Sequence, residues 1–224
     1  MLIGLALGSF VGAFTYRYPK GRSILKGRSF CDRCQKKISW WENIPFFSYL
    51  LLGGKCLGCR KPVSWRYPAI ELIAALGLVI LVKQPFLCLI FLILLAIFII
   101  DLENRLVPDC LVFGGVALTF LFFTLTGSSL LYRNLLVGCM AALFLLILHL
   151  ATRGRGMGLG DVKLAFFLGF ILGWPETVAW MMLSFVIGAL VGVILIILKK
   201  AGFGKKIAFA PFMISAFWVT MFLV

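Results

Sequence analysis

The amino-acid sequence predicts an all-α polytopic membrane protein, with about eight transmembrane helices and one small subdomain in the cytoplasm. Apolar residues make up 62% of the 224-residue chain and charged residues only 13%, whereas soluble domains carry roughly half apolar and about a quarter charged. Several apolar stretches approach the ~20 residues that cross a hydrocarbon core. The charge, +14 overall, is gathered into a few loops rather than spread over a surface. A water-soluble chain of this length has no way to hide so much hydrocarbon, so the bilayer is the expected solvent.

The first apolar segment, 1–16, lacks a basic flank ahead of it and is followed by basic residues. It reads as an uncleaved anchor with its N-terminus outside. Seven further spans are expected at roughly 67–82, 86–100, 110–126, 134–151, 162–174, 177–198 and 207–224. Lys83-Gln84-Pro85 and Trp174-Pro175-Glu176 read as tight turns, because proline interrupts a helix interior. Alternation of the spans puts 17–66, 101–109, 152–161 and 199–206 on one side. Twelve of the 22 basic residues lie between Arg17 and Arg66, and Arg105, Arg153, Arg155, Lys163, Lys199, Lys200, Lys205 and Lys206 fall in or beside the other three. Only Lys83 and Arg133 are left for the far side, a strong positive-inside bias. Membrane lipid accounts for such charge, and no nucleic acid is expected as a partner. No internal repeat is evident. The chain therefore divides into a first helix (1–16), a cytoplasmic subdomain (17–66) and a seven-helix core (67–224).

The subdomain is basic and too short for an ample core, and chains of that size need a staple. Cys31-Asp32-Arg33-Cys34 and Cys56-Leu57-Gly58-Cys59 supply one, as two CxxC pairs separated by 21 residues. Two thiolates on each knuckle complete a tetrahedron around one zinc ion, with Zn–S distances of about 2.3 Å. Two disulfides are the alternative, disfavoured by a reducing cytosol. Cys88, Cys110 and Cys139 lie singly in or beside spans and read as small buried apolar residues.

Only eight residues are acidic, and a carboxylate inside a bilayer is expensive. Asp101 follows the apolar run 86–100, and Asp161 closes Gly156-Met157-Gly158-Leu159-Gly160-Asp161 at the start of span six. Topology puts both at one depth on one face. Two carboxylates brought together share a proton, so that one serves as base and the other as acid on a single water. Gly158 and Gly160 would permit close backbone approach beside Asp161. The alternatives are a helix cap at Asp161, a boundary role for Asp101 and a cap at Asp109. His149, the only histidine, lies in an apolar span and reads as a packed or hydrogen-bonded residue. Neither a GxSxG elbow nor an HExxH pair is present.

Along the chain come Gly8-Ser9-Phe10, Arg17-Tyr18-Pro19, Arg28-Ser29, the paired CxxC motifs, Glu42-Asn43-Ile44-Pro45 with Ser48, and Tyr67-Pro68-Ala69-Ile70-Glu71. Further on come Asp101 with Pro108-Asp109, Gly158-Leu159-Gly160-Asp161-Val162-Lys163, and Pro211-Phe212. Together these motifs resemble the type IV prepilin peptidases of bacterial membranes. The resemblance implies an aspartic leader peptidase of the GxGD type in the bacterial cytoplasmic membrane, with Asp101 and Asp161 as its catalytic pair. It implies prepilin or pseudopilin precursors as substrates, cut after a glycine. It also implies methylation of the new N-terminus from S-adenosylmethionine, beside the structural zinc held by Cys31, Cys34, Cys56 and Cys59. Asp32, Glu42, Glu71, Glu103 and Asp109 are candidates to meet the basic leader. Gly12 stands where the family carries asparagine, which leaves a peptidase without methylase activity as one alternative. A non-enzymatic zinc-bearing membrane assembly protein is another.

Overall fold

The computed structural model describes residues 1–23, 29–31, 33–39, 41–154, 156–198 and 208–223. Arg28, Asp32, Arg155, Lys199, Lys200, Lys205 and Lys206, all singled out above, lie outside the described residues. Among those described, the α-helices are α1 (Leu2–Arg17), α2 (Phe47–Leu51), α3 (Arg66–Ile80), α4 (Pro85–Asn104), α5 (Asp109–Leu125), α6 (Leu131–Ala151), α7 (Leu159–Leu172), α8 (Glu176–Ile197) and α9 (Ala210–Leu223). The only β pairings among them are two isolated bridges. All helices but the short α2 fall on the apolar segments expected from sequence. Three of them, α4, α6 and α8, are long and apolar enough to cross a membrane, while α5 and α9 are apolar but shorter.

Two boundaries differ where it matters. Helix α4 continues past Ile100 through Asp101 to Asn104, and Arg105, at φ +54°, ends it. Helix α7 begins at Leu159 rather than after Asp161, because the extended Gly158 supplies its N-terminal turn. Asp161, read from sequence as a possible cap, is therefore a carboxylate already inside the first turn, at the third position after the cap residue Gly158.

The chain packs as two compact units, Met1–Ala96 and Ile97–Val224. In the first, α1 lies directly against α3. A Cβ placed on Gly4 would sit 2.7 Å from the Ala75 Cα, and one on Gly8 2.7 Å from the Glu71 Cα. Such spacing of small residues lets helix backbones meet, and here Gly4-x-x-x-Gly8 provides it. Between 17 and 66 the only buried residue among those described is Gly54, so this stretch has almost no apolar core of its own.

In the second unit α7 is the axis. It is apolar on all sides, as a surrounded helix must be, and Leu164, Phe167, Leu168 and Phe170 are fully buried. It packs against α5, α6, α8 and α9. Gly138 of α6 brings its backbone onto α7, where an added Cβ would lie 2.8 Å from the Phe166 carbonyl oxygen. The Trp180 indole N–H of α8 donates to the Met213 carbonyl of α9 at 2.8 Å.

Candidate active site and metal centre

Three helix ends converge in the second unit. Asp101 is carried by the last turn of α4 and Asp161 by the first turn of α7, and both are buried, at 5% and 8% exposure. They are close enough for the charge of one to act on the other. Asp101 Oδ2 accepts a hydrogen bond of 3.2 Å from the backbone N–H of Ala210, the first residue of α9. A carboxylate at the C-terminal end of its own helix is disfavoured by the helix dipole; here the N-terminal end of a second helix offsets that. Asp161 Oδ2 accepts from the Gly158 N–H, also at 3.2 Å. One carboxylate thus closes the N-terminus of its own helix, and the other is aimed by a neighbour's. Two buried carboxylates in this setting have the composition of a general acid–base pair.

The surroundings hold this arrangement. His149 Nδ1 lies 2.7 Å from the Met157 carbonyl oxygen, tying the end of α6 to the residue before Gly158. Lys163 of α7 pairs with Asp109 at the start of α5, at 2.8 Å. Gly160 has no room for a side chain, since an added Cβ would meet the Val107 Cβ at 2.9 Å; Gly158 has room. The close approach expected at the glycines is therefore made at Gly160, to a side chain. The N–H of Ala210 is the partner that sequence reading missed. The Pro211-Phe212 motif marked its neighbourhood, but a backbone donor has no letter of its own.

In the first unit the four cysteines come together. The Sγ atoms of Cys31, Cys34, Cys56 and Cys59 all lie within 4.8 Å of one another, with Cys31–Cys59 at 4.0 Å and Cys34–Cys56 at 3.9 Å. A tetrahedron with 2.3 Å bonds has edges of about 3.8 Å, so this donor set fits one metal ion. The two knuckles are built alike. Cys31 N donates to Lys36 O and Gln35 N to Cys31 O; Cys56 N donates to Lys61 O and Arg60 N to Cys56 O. Gln35 and Arg60 take matching positive φ values of 57° and 55°. This is an internal repeat, contrary to the expectation of none, and the pattern C-x-x-C-x-K in both was its signature. The backbone N–H groups of Cys34 and Arg33 pull the Cys31 thiol down to about 7, toward the thiolate that a metal requires.

The remaining acids are mostly engaged. Glu42 accepts from the Ser39 N–H at 2.6 Å and pairs with Lys36 at 3.3 Å, and both hold its carboxyl below the usual range. Glu71, 8% exposed, accepts from the Phe46 N–H at 2.7 Å. Glu103 is exposed. Of the lone cysteines, Cys88 is half-buried with its thiol on the Leu81 carbonyl. Cys110 and Cys139 are exposed on their helices, against the expectation of burial; a small side chain on an outward face meets no neighbour.

Comparison with known proteins agrees along the chain. Residues 2–84 match the bacterial peptidase A24 N-terminal domain, and residues 88–193 match the type IV leader peptidase family. A prepilin leader peptidase/N-methyltransferase of Aeromonas hydrophila is 35% identical, over 89% of this chain and 72% of its own. One of Pseudomonas aeruginosa is 32% identical over 99% and 88%, and one of Neisseria gonorrhoeae 31% identical over 97% and 87%. No solved structure matches the chain. With both halves matched in order and relatives covered over most of their length, the chain belongs to the type IV leader peptidase family.

Proposed function

We propose that this protein is an aspartic endopeptidase of the bacterial cytoplasmic membrane. It removes the leader from type IV prepilin or pseudopilin precursors, cutting after a glycine at the cytoplasmic face. All eight long helices cross the bilayer in this reading, residues 17–66 form a cytoplasmic metal-bound subdomain, and 67–224 carry the peptidase core. The burial of Asp101 and Asp161 within electrostatic reach of each other is the observation that supports it most. The precursor's apolar helix stays in lipid and its basic leader in the cytoplasm, so the scissile bond comes to the depth of the two carboxylates.

One carboxylate takes a proton from water, the water oxygen attacks the peptide carbonyl, and the other carboxyl gives its proton to the departing amine. Zinc is the ion that four thiolates suit, and with no open position its role is structural. The relatives carry N-methyltransferase in their names, and this supports a second step on the new N-terminus, for which S-adenosylmethionine supplies the methyl group.

The test is cleavage of a prepilin-like substrate by purified Asp101→Asn and Asp161→Asn variants. Each is expected to lose activity by at least about 10²-fold; full activity in either removes the aspartic assignment. The mass of the product N-terminus reads the methyl step separately, as a gain of about 14 Da.

A further inference from the structure

Asp101 and Asp161 are carried by helices that do not lie backbone to backbone. Among the described residues, α7 packs closely on α5, α6, α8 and α9, and α4 has no extended contact of that kind with it. The separation of the two carboxylates therefore needs another determinant, because a pair acts on one water only within a narrow range of distance. The chain supplies one directly after α4. Arg105, at φ +54°, turns the backbone while its N–H donates to the Asp101 carbonyl oxygen at 2.8 Å. Residues 102–106 are exposed, and the connection enters the protein at Val107 and Pro108. Pro108 is the N-cap of α5, and its carbonyl accepts from the Leu111 and Val112 N–H groups at 3.1 and 3.2 Å.

Two contacts join this connection to the start of α7. Val107 lies over Gly160, the residue before Asp161, where an added Cβ would come within 2.9 Å of the Val107 Cβ and 3.0 Å of its Cγ2. Lys163, two residues after Asp161, pairs with Asp109 at 2.8 Å, and its ammonium lies 5.8 Å from the centre of the Phe113 ring of α5. The contacts flank Asp161 in sequence, and both come from the strip of chain that leaves Asp101.

We propose that the connection 105–109 is a clasp that sets the separation of the two carboxylates, with Val107, Asp109 and Lys163 as positioning residues. The assignment rests on the aspartic mechanism proposed above, and each of the three acts through a neighbour rather than on the substrate. Without a Cβ at Gly160 the backbone of α7 comes down onto Val107. A side chain there would push the start of α7 off the connection, and Asp161 away from Asp101 with it. The ion pair is partly exposed, at 38% and 57% for its two side chains, and such pairs hold weakly. The apolar contact therefore carries most of the constraint, and the pair keeps the connection from sliding along it.

The experiment measures kcat and KM for precursor cleavage, and the thermal midpoint, on full-length variants in detergent. Gly160→Ala is expected to lower kcat about ten- to a hundredfold with KM unchanged. Val107→Gly in the same chain makes room for the added methyl group and is expected to return kcat to within about fivefold of the unsubstituted protein. Its thermal midpoint is expected to stay low, since the exchange gives up apolar packing and adds a flexible glycine. Lys163→Met keeps an apolar stem beside Phe113 and removes the charge. It and Asp109→Ala are each expected to lower kcat about two- to fivefold with KM unchanged, and the two together no further. Should Gly160→Ala not fold, this surface pair decides alone. Undiminished kcat in the single variants, a loss confined to KM, or kcat that merely follows the thermal midpoint overturns the clasp. It falls by itself if Asp101→Asn and Asp161→Asn are inactive; activity in those two would remove the aspartic mechanism beneath it.

Discussion

At the scale of single residues, His149 acts on a site it does not touch. Its ring nitrogen meets the Met157 carbonyl at 2.7 Å, and the next residue's N–H is the donor to Asp161. Removing the ring frees the loop that aims this carboxylate. His149→Ala is expected to lower kcat for precursor cleavage about three- to tenfold, the worth of one hydrogen bond, with KM unchanged. His149→Gln, which keeps an amide N–H on a side chain of similar reach, is expected to recover part of it. A loss that appears only in KM, or that Gln does not repair, would leave His149 a packing residue. The carboxylates were legible in the sequence because charge in an apolar run is expensive and therefore conspicuous. The four cysteines were legible because a metal site would demand their spacing. Their supporting partners were not: Ala210 N–H, Gly158 N–H and the Met157 carbonyl belong to the backbone, and every residue in the chain has the same groups.

Among the elements, helix positions follow from hydropathy alone, but contacts follow from where side chains are missing. Eight apolar segments could be read directly; which of them touch could not, since all are apolar on most faces. Gly4 and Gly8 decide the first pair. Their helix lies so close to α3 that added Cβ atoms would come within 2.7 Å of backbone carbons, which cannot yield as a side-chain tip can. Gly12, one further turn along, differs: its nearest neighbour would be the Tyr67 ring at 3.7 Å. Gly8→Val is therefore expected to destabilise the detergent-solubilised protein by roughly 1–3 kcal/mol through overpacking, seen as a lower thermal midpoint. Gly12→Ala is expected to leave it within about 0.5 kcal/mol. Equal effects would mean that α1 does not sit on α3 in this register.

For the molecule as a whole, the deciding question is which solvent it is built for, and α8 answers with its orientation. Its buried residues are Thr177, Trp180 and Ser184, and the Ser184 hydroxyl is satisfied by the Trp180 carbonyl at 2.8 Å. Its outward face carries Val186, Leu190, Val193, Ile194 and Ile197, each more than half exposed. Only 11% of its most apolar stretch is buried. In water this helix would be inside out; in hydrocarbon, polar groups turned inward and branched apolar groups outward is the stable choice. The two solvents therefore predict opposite results for one substitution. Val186→Arg, near the middle of α8 and 53% exposed, would change the stability of a soluble protein by no more than about 0.5 kcal/mol. At the centre of a bilayer it costs roughly 2.5–3.5 kcal/mol even on the most lenient insertion scale. The fraction of α8 inserted across microsomal membranes, read by glycosylation of engineered flanking sites, is expected to fall sharply for Val186→Arg and to hold for Val186→Leu. Insertion indifferent to the arginine would mean that α8 faces water or protein, and the common membrane depth proposed for Asp101 and Asp161 would fall with it.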